Sequence, residues 1–285
     1  MTRVPRPVLG VVLDVDGVLL HGRTPVPRAA EAVAGLEVPV VIATNNASRS
    51  SDDVAALLST TGIRCAPDQV LTSARVAANH VQREHPGARV LSVGSRALGE
   101  ELVRVGLVLV EDPLAADVVV QGFAPGTTAA DLGRAVVAVR RGAAWVATNA
   151  DPTLPSELGP VPGNGSLIDV VAAATGMRPV VTGKPSSTFY REALRRLGDP
   201  EPARVLAVGD RLSTDVRGAN AAGLSSVLVR TGIDATTPLD ATTVPRADIP
   251  AAVLEDLAGL PGLVLRGVGP VAYGEPNHPL DRRSP

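Results

Sequence analysis

Asp14 and Asp16, two residues apart in Leu13-Asp-Val-Asp-Gly-Val18, are the side chains of this 285-residue chain best placed to do covalent chemistry. Two carboxylates at i and i+2 on a loop leaving a strand can face one crevice. One can attack phosphorus to give an acyl phosphate, and its neighbour can protonate the leaving alcohol and later take a proton from water. Gly17 lets the backbone turn sharply beside them. Asp210 and Asp215, in Gly209-Asp-Arg-Leu-Ser-Thr-Asp215, add two more carboxylates. Such a set of hard oxygens suits magnesium, which would bridge nucleophile and substrate. Thr44, Asn45 and Asn46 can donate hydrogen bonds to phosphate oxygens. Lys184, in Thr182-Gly-Lys-Pro185, is the sole lysine among 27 cationic residues. A chain that otherwise uses arginine has kept one compact ammonium, the chemistry of a point charge against phosphate.

Each of these segments follows a short apolar run: Val8–Leu13, Val38–Ala43, Val180-Val181 and Val205–Val208. Branched residues favour strands, so the four motifs are expected at the carboxyl ends of four strands in one open parallel sheet, where α/β proteins bind ligands. The alternation of patterns predicts helices over 51–62, 75–84, 95–105, 129–141, 167–174, 188–197 and 215–222. Further strands are predicted over 89–93, 117–120, 144–147 and 226–229. Ser95 is the expected N-cap of its helix, and Gly106 and Gly142 stand at expected C-terminal caps. The expected fold class is α/β: a Rossmann-like parallel-sheet core over 1–74 and 182–265, with a second α/β domain inserted over 75–181 as a lid. Residues 266–285 are dense in glycine, proline and charge, and read as a disordered tail.

Other polar residues carry competing structural readings. Thr44 and Asn45 can cap a helix and bind an anion at once. Gly163-Asn-Gly-Ser166 is balanced between a turn and a substrate contact, as are Asn149 and Asp151. Arg211 is read as stabilising the acidic loop by an ion pair, Trp145 as core, and His21, His80, His85 and His278 as surface residues. A formal charge of −2 gives no basic field for nucleic acid, and 2% aromatic content leaves little to stack on bases. Lone Cys65 excludes an intrachain disulfide and fits a reducing compartment. Asp14 and Asp16 interrupt the N-terminal apolar stretch and no run is long enough to span a membrane, so the expectation is a cytoplasmic protein, with a homodimer left open.

Asp-Val-Asp-Gly-Val, the Thr44 motif, Gly-Lys-Pro and Gly-Asp-Arg-Leu-Ser-Thr-Asp resemble, in order and spacing, the four motifs of the haloacid dehalogenase superfamily of phosphatases. The large insert between the second and third motifs resembles the C2-type cap of the NagD-like class. The resemblance implies Asp14 as nucleophile and Asp16 as general acid and base. It implies magnesium held by Asp14, the main-chain carbonyl of Asp16 and Asp210, with Asp215 in an outer, orienting position. Thr44, Asn45 and Lys184 would grip the phosphoryl group. Thr44-Asn-Asn-Ala-Ser-Arg-Ser50, Asn149-Ala-Asp-Pro-Thr-Leu-Pro155 and Gly218-Ala-Asn-Ala-Ala-Gly-Leu224 resemble glycerol-3-phosphate phosphatases of actinobacterial type. That makes glycerol 3-phosphate the leading small phosphorylated metabolite. Phosphoglycolate, pyridoxal phosphate and nucleotides are alternatives, since Gln121-Gly-Phe-Ala-Pro125 replaces the Asp and Tyr many such caps carry. The extension that some of these enzymes carry after the core is expected to be missing. A phosphoacceptor signalling domain is the rival class, disfavoured because Asp16 would shorten the life of an acyl phosphate.

Overall fold

Strands that read as unbroken valine-rich runs must be covered on both faces, and the computed structural model covers them with helices. It describes residues 7–154, 159–240 and 244–267, so the expected tail over 266–285 lies almost wholly outside the described residues. The chain begins with β1 (Gly10–Asp14), the short pair β2 (Leu20–His21) and β3 (Thr24–Pro25), α1 (Ala29–Ala34), β4 (Val40–Thr44), α2 (Ser51–Ser59), β5 (Val70–Thr72) and α3 (Ser73–Glu84). A second series follows: β6 (Arg89–Val93), α4 (Arg96–Arg104), β7 (Val108–Leu109), β8 (Val118–Gln121), α5 (Ala129–Arg140) and β9 (Ala144–Ala147). It closes with β10 (Thr153–Leu154), β11 (Val161–Pro162), α6 (Asn164–Thr175) and β12 (Val180–Val181). The chain then runs through α7 (Ser187–Arg196), β13 (Val205–Gly209), a π-helical turn at Leu212–Val216, α8 (Arg217–Ala221), β14 (Ser225–Val229), β15 (Ala252–Leu254) and α9 (Leu260–Arg266). No described helix is long and apolar enough to cross a membrane.

Two parallel sheets organise these elements. The first has the order β15-β14-β13-β1-β4-β5 and the second β12-β9-β8-β6-β7. In the first sheet the chain moves outward from β1 to β4 and β5, then returns to the other side of β1 with β13. That reversal makes the carboxyl ends of β1 and β13 the topological switch point, where a crevice opens between connections leaving in opposite directions. Alternation along the strands sorts side chains to two covered faces. Val11, Leu13, Ile42, Leu206 and Val208 join one apolar cluster, while Val12, Val41, Ala43, Val205 and Ala207 join another with Phe189 and Tyr190.

Helix starts follow their side-chain chemistry. Ser50 and Asp53 form a capping box on α2, and Thr128 and Asp131 form one on α5. Ser95 caps α4 by accepting from the Leu98 amide, as expected from the sequence. Gly106 and Gly142 both take positive φ, 85° and 98°. α3 is shared between the sheets: Ala74, Ala77, Ala78 and Val81 pack with Val90, Leu98 and Leu102 near the second sheet, while Val76 packs with Leu71 and Phe189 under the first.

Three features correct the sequence reading. The strand before Lys184, β12, pairs in parallel with β9 in the second sheet and not in the first. The helix predicted over 215–222 is a π-helical turn over Leu212–Val216 that passes into α8, because the Val216 amide reaches back to the Arg211 carbonyl at 3.3 Å. Edge strands β5 and β15 complete the first sheet and β7 the edge of the second.

Candidate active site

Asp14 is the last residue of β1 and Asp210 directly follows β13, so the switch point itself brings them together. Asp215 reaches the same place from the π-helical turn. One carboxylate oxygen from each of Asp14, Asp210 and Asp215 can be chosen so that all lie within 4.8 Å of one another, and all three residues are buried. Lys184 enters from the second sheet, 4% exposed, and its ammonium donates to Asp14 Oδ1 at 2.5 Å and Asp215 Oδ1 at 2.7 Å. Thr44 ends β4 with its side chain buried; its hydroxyl accepts from the Asn46 amide at 3.1 Å. Asp16 is exposed as a residue, two positions beyond the end of β1.

Burial of so much like charge controls protonation. Desolvation raises Asp14 well above the usual carboxylate range; Lys184 opposes this, and Asp215, Asp210 and Asp16 reinforce it. Burial works against the Lys184 ammonium, but the carboxylates of Asp14 and Asp215 outweigh it and hold the amine protonated. Desolvation comes first for both Asp14 and Asp210, and repulsion from the neighbouring carboxylates adds to it. Asp210 is pushed up to about 6, first by desolvation and then by Asp215, against the amide of Ile233. Desolvation between the cleft walls raises Asp16, countered by Lys184 and Arg49.

An acid whose folded value is raised stabilises the fold fully only below its unfolded value, about 4, and loses that contribution as pH climbs through about 6. A divalent cation binds the ionised form. The rise in Tm on adding magnesium is therefore expected to be small below pH about 5 and to grow above pH about 7. Thermal melts with and without the ion at both pH values measure it, and a shift independent of pH would contradict it.

The three carboxylates are hard oxygen donors, as magnesium requires. Both Asp215 oxygens already accept hydrogen bonds, Oδ1 from Lys184 and Oδ2 from the Arg211 amide at 3.2 Å. Asp210 Oδ2 accepts from the Ile233 amide at 2.7 Å.

The Asn45 side chain spans the crevice between the two sheets. Its Oδ1 accepts from the Lys184 amide at 2.8 Å, while its Nδ2 donates to the Lys184 carbonyl and to Asp151 Oδ2, both at 3.1 Å. The side-chain amide is thus engaged by the backbone of the lysine and by Asp151. Asn46 Oδ1 accepts from the Ser48 amide at 2.8 Å, closing the turn after β4.

A segment the sequence reading missed, Thr231–Asp234, clamps the motifs from the loop after β14. The Thr231 hydroxyl donates to the Gly17 carbonyl at 2.6 Å, and Asp234 Oδ2 accepts from the Leu212 amide at 2.7 Å. A Cβ on Gly232 or on Gly17 would collide with the Asp210 carboxylate. Gly17 thus makes room for Asp210 as well as adopting φ +80°. A glycine two residues before an aspartate and shortly after a strand was the only available signal. Gly232→Ala is expected to raise the half-saturating magnesium concentration by about 10- to 100-fold, as loss of support for a metal ligand typically does. A magnesium titration of activity measures this; an unchanged midpoint would show that Asp210 has room to move.

Gly163-Asn-Gly-Ser166 is the N-cap and first turn of α6, which begins at Asn164 and not at 167 as the sequence suggested, and it packs against the segment carrying Asn149 and Asp151. Asn149 Nδ2 donates to the Asn45 carbonyl at 2.8 Å and the Gly165 amide to the Asp151 carbonyl at 2.8 Å. A Cβ at Gly165 would strike the Ala150 carbonyl and one at Gly163 the Asp151 carbonyl, so both glycines serve close backbone approach at the start of α6. Arg211 pairs with Asp151 at 3.6 Å, in keeping with a structural role, and Trp145 is core with its indole nitrogen on Gln121 Oε1 at 3.2 Å.

Comparison with known proteins agrees with this arrangement. A family model of haloacid dehalogenase-like hydrolases matches residues 11–108, and a second, HAD-hydrolase-like model matches residues 181–260. The D-glycerol 3-phosphate phosphatase of Mycobacterium tuberculosis is 46% identical over 228 residues, which are 79% of this chain and 63% of that protein. This chain thus spans less than two thirds of that relative's length. The acid sugar phosphatase of Staphylococcus saprophyticus is 34% identical over 82% of this chain and 91% of its own length. The crystal structure of the M. tuberculosis glycerol phosphate phosphatase Rv1692 in complex with magnesium superposes with a TM-score of 0.84 at 42% identity, covering 91% of this chain and 79% of the other.

Proposed function

The chain belongs to the haloacid dehalogenase-like hydrolases, and from that membership and the geometry of its acidic cluster we propose that it is a magnesium-dependent phosphomonoesterase whose leading substrate is glycerol 3-phosphate. The observation that carries this reading is the Lys184 ammonium held between Asp14 and Asp215, with Asp210 alongside, at the switch point of the sheet. In this reading residues 1–74 and 182–265 are the catalytic core and 75–181 the cap, and the protein works in the cytoplasm.

Asp14, the main-chain carbonyl of Asp16 and Asp210 would hold the ion, with Asp215 outside them. Once bound, the ion supplies the positive charge that lets an anionic nucleophile meet an anionic substrate. An oxygen of Asp14 forms a bond to phosphorus as the bond from phosphorus to the leaving oxygen breaks. Asp16 gives that oxygen its proton. Water then attacks phosphorus, Asp16 takes the water's proton, and the bond between Asp14 and phosphorus breaks to release phosphate. Lys184 balances the charge spreading over the phosphoryl oxygens, and Thr44 and Asn46 line the turn on which they rest. Desolvation raises the Asp16 carboxyl above the usual carboxylate range, a shift in the direction that favours its protonated form.

The M. tuberculosis relative supports glycerol 3-phosphate, and the staphylococcal relative makes sugar phosphates the neighbouring class to test. A phosphate-release screen over small phosphorylated metabolites, run with magnesium and with a chelator, tests both parts. Glycerol 3-phosphate is expected to give the highest kcat/KM and the chelator to stop release. A better substrate would replace the first part, and hydrolysis that survives chelation would overturn the second.

A further inference from the structure

On the reading of the site given above, we propose that Asp151 is a positioning residue for the reaction: it fixes the orientation of the Asn45 amide, which in turn holds the backbone of Lys184 and so aims its ammonium between Asp14 and Asp215. The links are continuous. Asn45 Nδ2 reaches Asp151 Oδ2 at 3.1 Å, and Asn45 pairs with Lys184 through both backbone groups, at 2.8 Å to the amide and 3.1 Å to the carbonyl. Lys184 Nζ then meets Asp14 at 2.5 Å and Asp215 at 2.7 Å.

The chemistry of the acceptor explains why a carboxylate stands at this point. An asparagine side chain has a donor end and an acceptor end that differ little in shape, and either could face the Lys184 peptide. An ionised carboxylate only accepts. Placed beside Asn45, Asp151 can engage only the NH₂ end, which leaves the carbonyl end for the Lys184 amide. Asp151 is itself held in place: its amide donates to Asn149 Oδ1 at 3.2 Å, its carbonyl accepts from Gly165 at 2.8 Å, and Arg211 lies 3.6 Å from Oδ1. Asn45 follows β4 of the first sheet, whereas Asp151 and Lys184 follow β9 and β12, neighbours in the second. One carboxylate therefore ties the lysine to a side chain from across the crevice. Its side chain is 16% exposed, and the oxygen facing Asn45 is spent on this contact.

The single lysine makes the test direct. With lysine labelled by ¹⁵N at Nζ, the protein carries one side-chain ammonium signal, and it reports Lys184 alone. In Asp151→Ala this signal is expected to move or broaden. Turnover is expected to fall by about 10- to 100-fold, the range for loss of an orienting partner. The fall should be by the same factor for p-nitrophenyl phosphate and glycerol 3-phosphate with KM little changed, because the phosphoryl group is common to both. Asp151→Asn should recover only part of the loss, since its carbonyl can still accept from Asn45 but its NH₂ end can turn toward Asn45 equally well. Should Asp151→Ala not fold, Asp151→Leu fills similar space without an acceptor and carries the same expectation. An unchanged lysine signal would overturn the proposal, as would a rise in KM confined to one substrate, which would make Asp151 a substrate contact. A wild-type protein that releases no phosphate would refute the proposed function and leave the lysine signal to decide this proposal by itself.

Discussion

Asp14→Asn is expected to lower kcat by about four orders of magnitude or more, the scale seen when a nucleophile is removed from a set of groups that act as a unit. The carboxamide is nearly the same shape, so the fold has no reason to change. Packing at the end of β1 comes from Val11, Val12 and Leu13, and Asp14 contributes its charge. Desolvation and three neighbouring carboxylates raise the Asp14 carboxyl, so neutralising it relieves repulsion as well as forgoing the bond to Lys184. The ammonium keeps its contact with Asp215 at 2.7 Å. The variant is therefore expected to melt within a few degrees of the parent while releasing no phosphate above background. Steady-state assays and thermal melts on the same preparation check both halves. Turnover at a substantial fraction of the parent rate would refute the nucleophile assignment, and a collapsed melt would show that the pair with Lys184 is structural.

The second large effect is expected at Lys184→Arg, which keeps the charge and changes its shape. The ammonium occupies a space in which the residue is 4% exposed, with two carboxylates in contact and the Phe189 ring centred 5.9 Å away. A guanidinium is wider, planar and longer in reach, so it would displace Asp14 or Asp215 or withdraw from them. Loss of one well-aimed charge at a developing anion typically lowers kcat by about 10²- to 10³-fold, and that is the expected fall. Rates close to the parent would mean that this chain's one lysine reflects only its preference for arginine codons elsewhere.

The sequence made the Asp14, Thr44 and Asp210 positions legible because each stands at or just past the end of a strand of five residues, long enough for an apolar run to declare itself. It could not reveal which sheet carries Lys184. Val180 and Val181 form a two-residue strand with no period to read, and its partner is chosen by tertiary packing. β5 and β15, three residues each, were invisible for the same reason. Capping residues such as Ser95 were readable since their partner lies three residues away. The grip of Asn45 on Lys184 spans 139 residues, and that of Thr231 on Gly17 spans 214. Contacts of that kind leave no local pattern, so nothing near Asn45 in the sequence announces that its side chain also braces Lys184.

α3 belongs to two apolar interiors at once, with its alanines on one side and Val76 on the other. The proposed boundary between core and cap, at residue 75, lies inside this helix, which begins at Ser73. Neither sheet can lose its covering there without the other being stripped too. Denaturant should therefore find a single cooperative unit where the chain's inserted architecture suggests two, and evolution or an engineer exchanging the insert must carry the helix along with it.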